Sequence, residues 1–135
     1  MRKSILCILL ICILSLLSAC SVERTNLEKL RDIEFTVVEE DDVPQELQEK
    51  MKEKQETRMR MTYADKGYLY IAMGYGVQET SGYSIEVKEC YETSNAIYIH
   101  TNLLGPAKDE KIVESKTYPS VVVKMEFIDK NVVFK

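Results

Sequence analysis

Few residues of this chain have the type and spacing needed for catalysis or metal binding. His100 is the one histidine among 135 residues, and neither it nor Cys90 belongs to a CxxC or HxxxH pattern. No serine lies in a G-x-S-x-G elbow, and a single histidine severely limits any catalytic triad. The acidic run EEDD at 39–42 lacks the spaced ligands and the glycine of a calcium-binding loop. The sequence therefore predicts a protein that is not an enzyme and that holds no metal or other cofactor.

A more informative feature is the segment GYGVQETSGY, from Gly74 to Tyr83. Its three glycines allow backbone conformations that other residues avoid. No G-K-[ST] follows them, so the segment does not have the features of a phosphate-binding loop. Tyr75, Tyr83 and the later Tyr91 have amphipathic side chains of the kind that protein interfaces use as anchors. Because Tyr83 also begins an alternating apolar run, it is either a core residue or part of a recognition surface.

The elements that would position this segment are mainly short β-strands. From residue 58 onward, apolar residues recur at every second position between turn signals such as Asp65-Lys66-Gly67 and Gly105-Pro106. The pattern predicts strands at 58–64, 68–74, 83–91, 96–104, near 112–113, 120–128 and 132–134. The strand at 68–74 is apolar on both faces, which is typical of a central strand.

The N-terminal part of the domain predicts one further strand and one helix. Ile33, Phe35 and Val37 alternate with the residues between them, which indicates a half-buried strand. Pro44, followed by strong helix formers and by Leu47, predicts an exposed helix of about three turns. We therefore predict a mainly β (α+β) fold. It would be a small antiparallel β-sandwich or a partly open barrel of about seven strands, with one helix on the N-terminal side.

The first twenty residues have the features of an exported lipoprotein. A basic start, Arg2 and Lys3, precedes an apolar run at 5–17 that is too short to span a bilayer comfortably. The run ends in the sequence LSAC at 17–20, which resembles a bacterial lipobox. It predicts a signal peptide at 1–19, lipidation at Cys20, a lipidated tether at 20–30 and a β-rich domain at 31–135. We expect attachment to the extracytoplasmic side of the cell membrane; the alternative is a transmembrane anchor that ends by chance in cysteine.

Charge and cysteine content limit the partners of the domain. Loss of Arg2 and Lys3 would change 18 Lys and Arg against 22 Asp and Glu to 16 against 22, a net charge of -6. With no basic face or arginine cluster, nucleic acid is not expected as a partner. An acidic domain is repelled by anionic lipid, so the lipid on Cys20 must hold it at the membrane. Cys90 would be the one cysteine of the folded part, and we expect a buried thiol rather than a disulfide.

Two motifs in this chain resemble the C-terminal domain of the protease-complex subunit PrcB. That family has a strand running into a G-x-x-P-T-G-G-Y-S loop, and later a T-Y-P step before an apolar strand. The residues that match are Gly76, Thr80, Gly82, Tyr83 and Ser84 in the first motif, and Thr117, Tyr118 and Pro119 in the second. Glu79 replaces the usual proline and Ser81 the first glycine of the pair. The resemblance covers residues 68–123.

The resemblance implies an envelope lipoprotein that acts as a non-catalytic accessory and binds a protein partner, such as a protease or its assembly. The candidate partner-binding residues are Gly76, Thr80, Gly82, Tyr83, Ser84, Tyr118 and Pro119. One alternative is direct protease inhibition by the 74–83 segment, since ETSGYSIEV also resembles the N-P-T-T-G-Y loop of chagasin-type inhibitors. The R-P-W element of those inhibitors is absent. The other alternative is a small-ligand carrier, which would need a concave apolar pocket.

Overall fold

The computed structural model describes residues 28–135, which form two packed four-stranded β-sheets with one helix outside them. The elements, in chain order, are β1 (Arg31–Asp32), β2 (Thr36–Val37), a 3-10 turn (Glu40–Asp42), α1 (Gln45–Lys54), β3 (Arg58–Asp65), β4 (Tyr68–Tyr75), β5 (Ser84–Glu92), β6 (Ala96–Leu104), β7 (Ser120–Glu126) and β8 (Asn131–Phe134). The first sheet has the order β1-β5-β6-β8 and the second β2-β7-β4-β3. The predicted mainly β sandwich is confirmed, and neither sheet closes into a barrel.

The predicted signal peptide, the lipidation site at Cys20 and most of the tether lie outside the described residues. Within residues 28–135, no helix is both long enough and apolar enough to cross a membrane.

The core lies between the two sheets and is built from side chains at alternate strand positions. Ile71 and Val123 of the second sheet pack in one cluster with Ile97 and Ile99 of the first, and each is at most 1% exposed. Cys90 belongs to the same cluster, which confirms the prediction of a buried thiol.

The helix covers the outer face of the second sheet. Leu47, which is 1% exposed, packs with Tyr70 and Ala72 on the outward face of β4 and with Val122 of β7. Strand β4 lies between β3 and β7, so the prediction of a central strand is confirmed. Its two apolar faces are explained by the core on one side and α1 on the other.

The strand predicted at the N-terminal side is corrected. The segment forms two short strands in different sheets, since β1 pairs with β5 and β2 pairs with β7. Ile33 and Phe35 pack in the core as expected, but Val37 is 55% exposed and Val38 packs near the helix instead. Because the chain crosses from one sheet to the other between β1 and β2, a single alternation cannot continue through it.

One further prediction about strands is corrected. Ile112 and Val113 lie in a loop, and the backbone of Val113 forms hydrogen bonds with Ser81 instead of joining a sheet. The strand pairing is antiparallel except that β8 runs parallel to β6. The chain crosses from β7 to the first sheet in the short segment 127–130 and enters that sheet beside Ala96, where β6 itself begins. Both strands therefore run in the same direction.

Candidate functional site

Two loops lie side by side at one end of the sandwich. The first loop, residues 76–83, connects β4 to β5, and the second loop, residues 105–119, connects β6 to β7. Ser84 pairs with Leu104, and Gly74 pairs with Ser120, so both connections leave the sheets at the same end. We call these two segments together the loop pair.

Hydrogen bonds join the two loops along their length. The N–H of Gln78 donates to the carbonyl of Thr117 at 2.8 Å, and the N–H of Thr117 donates to the carbonyl of Gln78 at 2.9 Å. The Thr117 hydroxyl donates to the carbonyl of Thr80 at 2.7 Å. Further along, the N–H of Ser81 donates to the carbonyl of Val113 at 3.0 Å, and the N–H of Val113 donates to Ser81 Oγ at 2.8 Å. The loops are therefore fixed to each other and present one surface.

Two glycines of the first loop have conformations that other residues rarely adopt. Gly76 has φ +76°, and a Cβ there would lie 3.1 Å from the carbonyl oxygen of Glu56. Gly82 has φ +93°, and a Cβ there would lie 2.7 Å from the Cβ of Pro106. Glycine is required at both positions by the positive φ and by the close approach of another segment of the same chain. Gly74, in contrast, is a residue of strand β4 and is not part of the first loop.

The structure brings all seven predicted partner-binding residues to this end of the sandwich, where they fall into two groups. Gly76, Thr80, Gly82 and Pro119 shape or hold the loop backbone; the carbonyl of Pro119, for example, accepts the N–H of Tyr75 at 3.2 Å. The residues whose side chains reach the surface are Tyr83 and Tyr118, both half-buried, and the exposed Ser84, which begins β5. Their role in partner binding stays a prediction.

The other two tyrosines of the sequence-based interpretation have structural partners. The hydroxyl of Tyr75 donates to the carbonyl of Thr101 at 2.9 Å and thereby links β4 to β6 of the opposite sheet. Tyr91 lies at the far end of β5 and stacks on Tyr98, with ring centroids 5.3 Å apart. Tyr91 is 8% exposed. Both side chains are therefore engaged within the domain.

The exposed apolar residues of the loop pair were not predicted from the sequence. Ile112 and Val113 of the second loop are 46% and 63% exposed, and Val77 of the first loop is 36% exposed. Leu104, where β6 runs into the second loop, is 43% exposed. Exposed apolar side chains on an ordered loop are available for contact with a partner. One feature of the sequence could have indicated their exposure. Ile112 and Val113 lie between charged residues and are not part of an alternating apolar pattern.

His100 and Cys90 do not form a common site. Cys90 faces the core, whereas His100 lies beside Glu89 on the opposite face of the sheet, with Nδ1 4.0 Å from the glutamate Oε2. Burial raises the pKa of the Cys90 thiol to about 11, so the thiol is protonated at neutral pH and is a poor nucleophile. Within residues 28–135, no three His, Cys, Asp or Glu side chains are grouped to hold a metal ion.

Comparison with known protein families identifies the central part of the chain. Residues 69–126 match the family model described as PrcB C-terminal. The matched segment runs from β4 to β7, so it contains both loops of the loop pair and the strands that hold them. No curated protein and no solved structure matches the chain.

Proposed function

We propose that this protein is a non-catalytic accessory lipoprotein, because residues 69–126 match the family model described as PrcB C-terminal. It binds a protein partner at the cell envelope, either a protease or the assembly to which a protease belongs. The loop pair is the proposed binding surface. The observation that carries the proposal is the exposure of Val77, Ile112 and Val113 on two loops that hydrogen bonds fix together. A surface that is already ordered loses little conformational freedom on binding.

The point at which the chain enters the domain supports this proposal. The N–H of Leu30 donates to the carbonyl of Glu92 at 2.8 Å, so the chain enters beside the last residue of β5. The loop pair lies at the opposite end of that strand, beyond Ser84. A strand of nine residues spans about 30 Å. If Cys20 carries lipid, the loop pair lies at the end of the domain farther from the point of attachment.

Direct protease inhibition is the second candidate function. An ordered loop at the end of a sandwich is suited to block a cleft, and the first loop is ordered by its bonds to the second. A cleft would, however, have to admit both loops, because Thr80 and Ser81 are bonded to the second loop. Dose-dependent inhibition of a cysteine or serine protease by the protein alone would support this function over an accessory role.

A small-ligand carrier receives less support from the described surface. Two grooves of about 990 and 910 Å³ are present, but both are open and include charged side chains in their linings. The space between the sheets is filled by the core side chains. Neither groove is the enclosed apolar pocket that such a function needs.

Capture of a partner from native membranes tests the accessory function. In the full chain, Ile112→Ser/Val113→Ser removes two exposed apolar side chains of the loop pair, and Leu30→Ser/Val133→Ser removes two from the opposite end. We expect the loop variant to retain about tenfold less partner than the wild type or the control, with an unchanged melting temperature. Equal retention by both variants would reject the loop pair as the binding surface.

A further inference from the structure

A groove adjoins the loop pair on the outer face of the second sheet. It has a volume of about 910 Å³ and lies between α1 and the edge formed by β2 and β7. Val43 and Val122 in its lining are buried, and Val38 and Met51 beside them are half-buried, so the floor of the groove is apolar. The half-buried ring of Tyr118 extends the groove to the second loop. The groove thus offers apolar surface to a ligand.

The sheet edge inside this groove has an open backbone position. Strand β2 covers β7 only as far as Val122, whose carbonyl accepts the N–H of Val38 at 2.9 Å. On the other side of β7, the N–H of Tyr75 donates to Pro119. Hydrogen-bonding directions alternate along a strand, so Ser120 directs its N–H and carbonyl away from β4 and toward the groove. One further strand segment could therefore pair with β7 at this point.

The rim of the groove is acidic. Glu39, Glu40 and Glu49 line it and are exposed, whereas Lys52 is the one basic residue in the lining. The surrounding segment 39–56 contains eight acidic and three basic residues, a formal net charge of -5. Such a local excess of negative charge attracts cationic segments and repels acidic ones.

We propose that this groove binds an extended segment of the partner protein in which apolar side chains alternate with Lys or Arg. The segment adds to β7 at Ser120, places its apolar side chains on the groove floor and directs its basic side chains to Glu39, Glu40 and Glu49. The inference rests on the proposed protein-binding function and adds the chemistry of the segment that is bound. Because Tyr118 belongs to both surfaces, one partner can contact the groove and the loop pair together.

The absence of tryptophan from the chain allows a direct binding experiment. The probe is a short synthetic peptide in which isoleucine and lysine alternate, with one tryptophan at a central apolar position. Titration with the full chain in nonionic detergent micelles is expected to shift the tryptophan emission to the blue and to saturate, after subtraction of protein-free micelles. A peptide with glutamate in place of every lysine should bind about tenfold more weakly or not at all.

Two matched variants locate the binding on the protein. Glu40→Lys/Glu49→Lys inverts the rim, and Glu86→Lys/Glu126→Lys makes the same change of net charge at exposed positions outside the groove lining. We expect the rim variant to bind the lysine peptide about tenfold more weakly, and the control to differ from wild type by less than about twofold. Thermal unfolding checks the fold of each variant, and Glu40→Gln/Glu49→Gln provides a milder change if inversion disturbs it.

Three results would overturn the groove proposal: no saturable binding, equal binding of the lysine and glutamate peptides, or equal weakening by the rim and control variants. These results are separate from the capture experiment, because the rim variants leave Ile112 and Val113 in place. If the peptide does not bind in the groove but partner capture still depends on Ile112 and Val113, the groove proposal is rejected and the proposed function is retained.

Discussion

Cys90 is chemically an apolar core residue in this fold. It is 4% exposed, packs with Ile97 and Ile99, and burial raises its thiol pKa to about 11. Its burial was predicted from residue type alone, because an unpaired cysteine is most often a small buried apolar residue. The same local reasoning could not show that it faces away from His100, since that depends on the register between β5 and β6.

We predict that Cys90 reacts slowly with iodoacetamide at pH 8 in the folded protein. A thiol pKa near 11 in place of about 8.5 reduces the thiolate fraction by roughly a hundredfold or more. Peptide mapping by mass spectrometry follows the labelling of Cys90 separately from that of the other cysteines, with the urea-unfolded chain as the reference. Equal labelling rates in the two states would place the thiol at the surface.

Glu92 joins three segments at the end of the sandwich where the chain enters. Its carboxylate accepts hydrogen bonds from Lys130 Nζ at 2.7 Å and from Arg31 Nε at 2.6 Å. These bonds, that from Lys130 first, hold the pKa of Glu92 below its ordinary value. A lowered carboxyl pKa stabilises the folded state above the pKa of the unfolded chain, and this contribution is lost as the pH falls through the folded-state pKa.

Glu92→Gln keeps the shape of the side chain and removes its charge. We predict a loss of about 1–2 kcal/mol in the free energy of unfolding at pH 7. The difference from wild type should be smaller at pH 3, because the wild-type carboxyl begins to protonate there and loses the same interactions. Urea unfolding at both pH values measures this, with the exposed Glu86→Gln as control. If the difference in the free energy of unfolding between the variant and the wild type did not change with pH, the charge of Glu92 would not be the source of the stabilisation.

Among the elements of the fold, the loop pair has features that the local sequence predicts and one contact that it does not predict. The motif residues of the first loop were identifiable because glycine at a positive φ has few substitutes. The contact between the loops was not, since Thr80 and Thr117 are 37 positions apart and meet only through the packing of β4, β5, β6 and β7. A register shift between Val87 and Glu89 likewise ends the alternation of β5, so that Cys90 faces the core.

Gly82 and Gly67 form a matched pair for testing the contact between the loops. Both have positive φ, +93° and +81°, but a Cβ on Gly82 would meet Pro106 at 2.7 Å, whereas a Cβ on Gly67 would meet nothing within 4 Å. We predict that Gly67→Ala costs about 1–2 kcal/mol from its backbone conformation alone. Gly82→Ala should cost about 1–3 kcal/mol more because of the close contact with Pro106.

Urea unfolding of the two alanine variants provides both values. Equal losses of stability would show that Pro106 moves away at little cost and that the second loop is not packed on the first as described. Gly67 is a suitable reference because it sits in the predicted Asp65-Lys66-Gly67 hairpin turn, which the structure confirms between β3 and β4.

At the scale of the whole molecule, the alternating pattern predicted a sandwich because each strand has a face to bury. The pattern could not assign strands to sheets. The division of the N-terminal segment between both sheets and the parallel pairing of β8 depend on short crossings, whose direction is set by the neighbouring strands. The helix was predicted from Pro44 and its following residues, but its covering of Tyr70 and Ala72 required the structure.

The resulting molecule has two distinct ends. The chain enters at one end, near Glu92, and the loop pair with its exposed apolar side chains occupies the other. If the chain is anchored through Cys20, this arrangement places the loop pair at the end of the domain farther from the anchored segment. We therefore propose that a protein partner binds at the loop pair and not at the end where the chain enters.

Site-specific photo-crosslinking in the native membrane distinguishes binding at these two ends of the domain. Benzoylphenylalanine is placed in the full chain either at position 113, on the loop pair, or at position 133, on β8 near the opposite end. We predict a covalent adduct with one protein partner from position 113 and none from position 133, at equal abundance of the two variants. Adducts of equal yield from both positions, or an adduct from position 133 alone, would show that the loop pair is not the binding surface.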